Sequence, residues 1–251
     1  MDYDSIAEWY DSFVHTKKDI PFWVKQAKTA RGEVLELASG TGRVSIPLLK
    51  AGIHLTCVDG SSRMLWIFRQ KLIQKGLFAQ TYQMDLADLC LVNRFAMVLF
   101  PFDGFAEISG ETLQMQLLQR IFEHLKPGGT FICSLQNPIF TREWANGKLK
   151  TLGNFPLPDD KSRLRVLIQP QLTPSGNSVL GTQILERFDL RGALVEKKNF
   201  PLQYDVIEKS KFESMCSDAG FKKVALFGDY SAVKFNPKTS PSMIWKLRRP
   251  R

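Results

Sequence analysis

Glu36, Gly40, Gly42 and Asp59 are the residues of this chain whose types and spacing suggest chemistry. The first three fall in Val34-Leu35-Glu36-Leu37-Ala38-Ser39-Gly40-Thr41-Gly42-Arg43, an apolar run that ends in an acid and gives way to small residues. Small residues let backbone approach a ligand closely, and glycine tolerates the dihedrals of a tight turn. A helix beginning at Gly42 would also present unpaired N–H groups to a carboxylate or phosphate. Asp59 ends a second apolar run in Cys57-Val58-Asp59-Gly60-Ser61. An acid in that position accepts hydrogen bonds from both hydroxyls of a ribose, so a nucleoside ligand is expected. A nicotinamide dinucleotide is the rival, because Gly40-Thr41-Gly42 precedes the acid by about twenty residues. Three features oppose it. Ser45 stands where the third fingerprint glycine would fall; Glu36 suits a cationic amine better than a pyrophosphate; and Asp85, in Met84-Asp85-Leu86, is placed to accept an adenine amino group.

These residues need strands that end together and helices that cover them. Val34 to Leu37, Ile53 to Val58, Ala79 to Gln83, Phe95 to Phe100 and Thr130 to Leu135 read as strands. Helical periods at Gly42 to Ala51, Ser61 to Lys75 and Glu111 to Leu125 separate most of them. Alternation of this kind predicts a parallel sheet covered on both faces. Helices are expected around residues 4 to 13 and 19 to 30, and a final helix at Lys209 to Ala219 precedes strands at Phe221 to Phe227 and Met243 to Leu247. Residues 137 to 205 differ in texture. Alternating segments at Leu164 to Gln169, Val179 to Leu190 and Ala193 to Tyr204, joined by Pro, Gly and Asn turns, predict an inserted antiparallel meander.

With 251 residues, 44% hydrophobic and 24% charged, the chain can build a sizeable core. Its apolar runs are strand-sized, and the start Met1-Asp2-Tyr3-Asp4 has no signal-peptide pattern, so neither a membrane span nor export is expected. Cys57, Cys90, Cys133 and Cys216 are too scattered for CxxC, and His15, His54 and His124 form no HxxxH pair. No metal site is expected, and the cysteines read as reduced thiols of a cytoplasmic protein. Net charge is +9, and residues 126 to 251 carry the excess, with 21 basic against 11 acidic residues. The readings left open are general solubility with a frayed basic tail at Trp245 to Arg251, or an anionic partner. No RNA-recognition, KH or helix-turn-helix signature supports nucleic acid.

Four segments in order resemble the class I S-adenosylmethionine-dependent methyltransferases. Glu36 to Gly42 is similar to their glycine-rich first motif, with Ala38 in place of the usual first glycine. Val58 to Leu65 resembles the second, Met84-Asp85-Leu86 the third, and Leu125-Lys126-Pro127-Gly128-Gly129 the turn before the fifth strand. The resemblance implies a Rossmann-like α/β fold: a seven-stranded, mostly parallel sheet with helices on both faces, plus the inserted meander. Residues 1–136 and 206–251 would form the cofactor-binding core, and 137–205 a lid for acceptor recognition or a dimer interface.

The resemblance also implies S-adenosylmethionine as cofactor. Its methionine amino group would lie near Glu36 and the backbone of Ala38, Ser39 and Gly40, its carboxylate at Arg43, and its ribose on Asp59 beside Gly60 and Ser61. Adenine would lie between Met64, Leu86 and Asp85. The opening Asp2 to Asp11 resembles the aromatic N-terminal cap of the small-molecule branch, which brings Tyr10 and Trp23 to the cofactor and Tyr3 to the acceptor. Phe100 to Phe105 follows the fourth strand, where ligands gather, so Phe100 is assigned to the cofactor and Phe102 and Asp103 to the acceptor. The expected activity is methyl transfer to an O or N atom of a small metabolite. Methylation of RNA or protein and a non-catalytic cofactor-binding scaffold are the alternatives. No general base stands out.

Overall fold

In a computed structural model of the chain, which describes residues 2–157 and 162–251, two β-sheets share the molecule. Met1 and residues 158–161, the latter inside the expected insert, lie outside the described residues. The first sheet contains β1 (Val34–Leu37), β2 (Leu55–Asp59), β3 (Gln80–Gln83), β4 (Phe95–Phe100), β5 (Leu125–Gln136), β10 (Lys222–Phe227) and β11 (Ser242–Arg248). Its order is β10-β11-β5-β4-β1-β2-β3. The first five strands in sequence run parallel, and β11 is antiparallel to both of its neighbours.

Burial explains the strand sequences. Every residue of β1 and β2 is buried, as expected for strands covered on both faces. The covering helices are α2 (Ile20–Ala27), α3 (Ser45–Lys50), α4 (Ser62–Lys75), α5 (Glu111–His124) and α7 (Lys209–Asp218). α4 is delimited by local chemistry: Ser61 Oγ accepts the Met64 N–H at its start, and Gly76, at φ 60°, closes it. No helix among the described residues is long and apolar enough to cross a membrane.

The second sheet is antiparallel, in the order β6 (Lys150–Pro156), β7 (Arg163–Leu172), β8 (Ser178–Phe188) and β9 (Leu194–Asp205). Leu164, Val166, Leu185 and Phe200 on it pack against Ile6, Ala7 and Met64, which joins the sheet to α1 (Ala7–Phe13) and α4. Strand β6 and helix α6 (Pro138–Trp144) were not expected. Asn137 begins α6, and Pro138 at its first position has no N–H to lose.

Two further expectations are corrected. The first βα helix begins at Ser45 rather than Gly42, because Thr41 to Val44 form turns, and α3 has only six residues. The tail is not frayed. β11 lies between β10 and β5, with Trp245 completely buried. Arg249 Nη1 donates to the carbonyls of Phe122 and Leu125 at 2.7 and 2.9 Å, satisfying groups at the end of α5. His124, at that same end, is fixed by the Leu91 N–H, which donates to its Nε2 at 2.8 Å, and takes no part in the cavities described below.

Candidate active site

Strand order reverses at β1: β2 and β3 extend to one side, β4 and β5 to the other. Loops leaving the carboxyl ends of β1 and β4 therefore diverge and open a crevice. A cavity of about 480 Å³ occupies it, within the size range of small-molecule sites. Of the expected cofactor contacts, Tyr10, Glu36, Ala38, Ser39, Gly40, Arg43, Asp59, Gly60, Ser61, Met64, Asp85 and Leu86 line this cavity.

Two residues do not. Trp23 is completely buried, with its indole N–H on Asp19 Oδ2 at 3.1 Å and its ring against Phe22 and Tyr230. Its helical spacing reflects packing. The Phe100 side chain is also wholly buried and packs edge-on against Phe105, because alternate residues of β4 face opposite sides of the sheet. The cavity wall beyond β4 is formed by Pro101, Phe102 and Gly104 instead.

The loop after β1 is built for close approach. Ala38 holds a left-handed φ of 52°, a conformation that costs a non-glycine residue roughly 1–2 kcal/mol. Gly40 and Gly42 follow at φ 55° and 84°. Gly42 is required for a second reason: a β-carbon there would lie 2.2 Å from the buried Phe68 ring. Gly42→Ala is expected to destabilise the fold by roughly 2–4 kcal/mol through overpacking and a strained φ, read as a lowered Cm in urea. An unchanged Cm would show that Phe68 yields freely.

Asp59 ties this loop to the next. Its Oδ2 accepts the Gly40 N–H at 2.7 Å and its Oδ1 the Ser61 N–H at 2.8 Å, so one carboxylate fixes both edges of the cavity. Burial raises its pKa, and the two N–H bonds offset part of that rise. Glu36 lies deeper and is almost completely shielded, with Oε2 accepting the Ser45 hydroxyl at 2.7 Å. Burial pushes its carboxyl up to about 8, against the pull of Ser45 and of Arg43.

Arg43 lines the rim but is already engaged. Its guanidinium donates to Asp19 Oδ1 and Oδ2 at 2.6 and 2.8 Å and to the Thr16 carbonyl, and lies over the Phe102 ring. Asp85 accepts the Ala87 N–H and begins a single 3-10 turn, Leu86–Asp88, which sets Leu86 against the cavity.

The N-terminal segment closes the crevice from above. Asp4 accepts from the Arg63 N–H and from the hydroxyls of Ser61 and Ser62, Thr41 donates to Asp11 at 2.6 Å, and Lys71 pairs with Asp11. Tyr3 and Tyr10 meet edge to face, and the Tyr3 hydroxyl donates to Glu107 at 2.7 Å. Glu107, on the 3-10 turn Gly104–Glu107, was not foreseen, since it belongs to no motif and is brought in only by the chain reversal after β4.

Tyr3, Tyr10, Phe102 and Glu107 also line a second cavity of about 420 Å³, which extends towards the second sheet. Its other walls include Phe13, Asp103, Gln136, Trp144, Gln183 and Tyr204. The charged residues lining it are Asp103, Glu107 and Asp205; no lysine, arginine or histidine does so among the described residues. Tyr204 is pushed up to about 12 by burial and by the charge of Asp103. Of the expected acceptor residues, Tyr3 and Phe102 thus stand on the wall common to both cavities, and Asp103 faces only the second.

Residues 34–129 match the sequence model of a family described as a methyltransferase domain. Cypemycin N-terminal methyltransferase of Streptomyces sp is 25% identical over 248 residues, 96% of each chain. The chain also spans about half the length of two putative methyltransferases, from Geobacillus and Bacillus subtilis, each 28% identical. Among solved structures, the CcbJ methyltransferase of Streptomyces caelestis superposes with a TM-score of 0.83 over 100% of this chain and 99% of that one, at 23% identity. The glycopeptide N-methyltransferase MtfA, solved with S-adenosylmethionine, gives 0.61 over 95% of this chain and 90% of that one, at 19% identity.

Proposed function

We propose that this chain, a class I S-adenosylmethionine-dependent methyltransferase, methylates the nitrogen of an amine carried by a small, largely apolar molecule. One observation carries the choice of nitrogen: all the charged residues lining the second cavity are acidic. A carboxylate-lined, partly aromatic cavity favours a cationic amine and disfavours an anionic acceptor, and one of its carboxylates would take the ammonium proton, since only a nitrogen with a free lone pair can accept a methyl group. The basic excess of the second half lies elsewhere. Arg165, Arg187, Lys197 and Lys198 pair with Glu186 and Glu196 across strands of the second sheet. A glycopeptide N-methyltransferase and an N-terminal methyltransferase among the similar proteins agree with nitrogen.

The residues of the first cavity fit the cofactor. Ser39 Oγ is buried there without a hydrogen-bond partner, and Glu36 and Asp59 make the cavity acidic, as a cationic ligand needs. Bound S-adenosylmethionine supplies an electrophilic methyl group on a sulfonium. Glu36 would face its ammonium, Asp59 its ribose, and Met64 and Leu86 its adenine. What the chain adds is position and dryness. Tyr3, Tyr10, Phe102 and Glu107 stand where the cavities meet, so they would hold an amine in the second beside a cofactor in the first while the N-terminal segment excludes water. The second sheet lines the second cavity through Gln183 and Tyr204, which supports acceptor recognition as the role of the inserted residues.

The test is label transfer from methyl-labelled S-adenosylmethionine to matched acceptors of one carbon skeleton bearing an amine, a hydroxyl or a carboxylate. Methylated amine is expected at a rate at least tenfold above the other two. Equal or faster labelling of the hydroxyl compound would overturn the nitrogen assignment.

A further inference from the structure

We infer that Asp103 is the ammonium anchor of the second cavity, the side chain by which the enzyme distinguishes an amine acceptor from an alcohol of the same shape. The inference rests on reading that cavity as the acceptor site.

Three carboxylates line the cavity, and they differ in what they already hold. Asp205 is used by the fold: Oδ1 accepts the Ser178 hydroxyl at 2.8 Å, and Oδ2 accepts the Gly110 N–H and the Gln114 amide, each at 2.9 Å. Both oxygens of Glu107 receive the Tyr3 hydroxyl, at 2.7 and 2.9 Å. Asp103 differs from both. Its Oδ1 is closed off from solvent and has no hydrogen-bond partner. A buried acceptor left unsatisfied costs roughly 1–3 kcal/mol, and more when charged, so such a group points to a ligand that completes it.

The backbone holds the carboxylate in place. Phe102 and Asp103 both sit at φ 59°, in the left-handed region that aspartate tolerates better than most residues, and the Asp103 N–H donates to Ser134 Oγ at 3.1 Å. This reversal after β4 turns Phe102 towards the wall common to the two cavities and Asp103 into the second.

Among the described residues the lining around Asp103 supplies no positive charge. Asp19, Glu107, Tyr204, Tyr230 and Cys133 are the titratable groups that face it. Arg43, whose guanidinium lies over the ring of the neighbouring Phe102, is paired with Asp19. Burial pushes the Asp103 carboxyl up to about 6, against hydrogen bonding from Ser134 and Gln136. A carboxylate with one oxygen unpartnered and no cation beside it gains most from a cation brought by the ligand; a hydroxyl of equal size brings none.

The experiment measures binding of 2-phenylethylamine and of 2-phenylethanol to protein saturated with S-adenosylhomocysteine, by calorimetry between pH 5 and 8. At pH 7.5 the native chain is expected to prefer the amine at least tenfold. That preference should fall as pH drops through about 6, where Asp103 takes up a proton. Asp103→Asn, which keeps the shape and tolerates the backbone conformation, should lose the preference while its affinity for S-adenosylhomocysteine stays the same and its thermal midpoint does not fall. Glu111→Gln, which removes a surface carboxylate paired with Lys211 outside both cavities, should keep the preference. An Asp103→Asn variant that still prefers the amine overturns the anchor and leaves the amine reading standing. A native chain with no amine preference, including one that binds neither compound, overturns both.

Discussion

Replacing Asp59 with alanine is expected to weaken S-adenosylmethionine binding by roughly a hundredfold or more, about 3 kcal/mol. The ribose contact implied by the family resemblance is only part of that loss. The carboxylate also accepts the Gly40 and Ser61 N–H groups, and bonds to a charged acceptor contribute about 1.5–3 kcal/mol each. Without them, the loop after β1 and the start of α4 lose the link that sets the width of the cavity. Asp59→Asn is a sharper probe. One amide oxygen still accepts, while the NH2 opposes a backbone donor, so binding should fall by an intermediate amount. Isothermal titration of the three proteins, with a thermal melt for each, separates loss of contact from loss of fold. If Asp59→Ala binds within fivefold of the native chain, Asp59 does not hold the cofactor.

Binding of the cofactor should also become tighter as pH rises from 6 to 8, by up to tenfold per unit, and then level off, because Glu36 must lose a proton to face a cation. Its carboxyl, ordinarily near 4.5, is pushed up to about 8 by burial. Complex formation near neutrality is therefore expected to release about one proton, seen as a buffer-dependent heat. Glu36→Gln should abolish both the pH dependence and the release, and bind more weakly at pH 8.

The free protein should respond in the opposite sense. Between pH 4.5 and about 8 the folded chain keeps a proton that the unfolded chain has lost. Stability therefore falls with rising pH across that window, by up to about 1.4 kcal/mol per unit. Ligand-free Glu36→Gln should accordingly melt above the native chain at pH 8.5, trading affinity for stability. A native affinity that is flat from pH 6 to 8 would show that Glu36 is already ionised without ligand.

The strands that carry the first cavity were legible because their signal is local. Phe95 to Phe100 is an unbroken apolar run and Val34 to Leu37 is apolar apart from Glu36, and the structure gives both strands those limits. Helix α4 was bounded to within a residue, since Ser61 and Gly76 are stop signals that act on their neighbours. Strand β6 escaped because it is an edge strand interrupted by Gly153 and ended by Pro156, and its pairing with β7 is what makes it a strand. At the tail the strand expected at Met243 to Leu247 is present as β11, and only the frayed end is overturned. Trp245 to Arg248 have the composition of a solvated end, yet β5 and β10 claim them from either side.

The same division holds at the site. By itself the sequence determined the glycine loop, the acids that end β1 and β2, and the nucleoside ligand they imply, because these depend on residues within one turn of each strand end. Tertiary structure alone decided that Trp23 and Phe100 pack rather than bind, since a face of a helix or strand is buried by whatever lies opposite it. It also turned Arg43 onto Asp19, brought Glu107 to Tyr3 and set Asp103 in a cavity closed by the second sheet. Those encounters join residues 24 to 104 positions apart, or separate segments of the chain, and no spacing along one strand or helix records them.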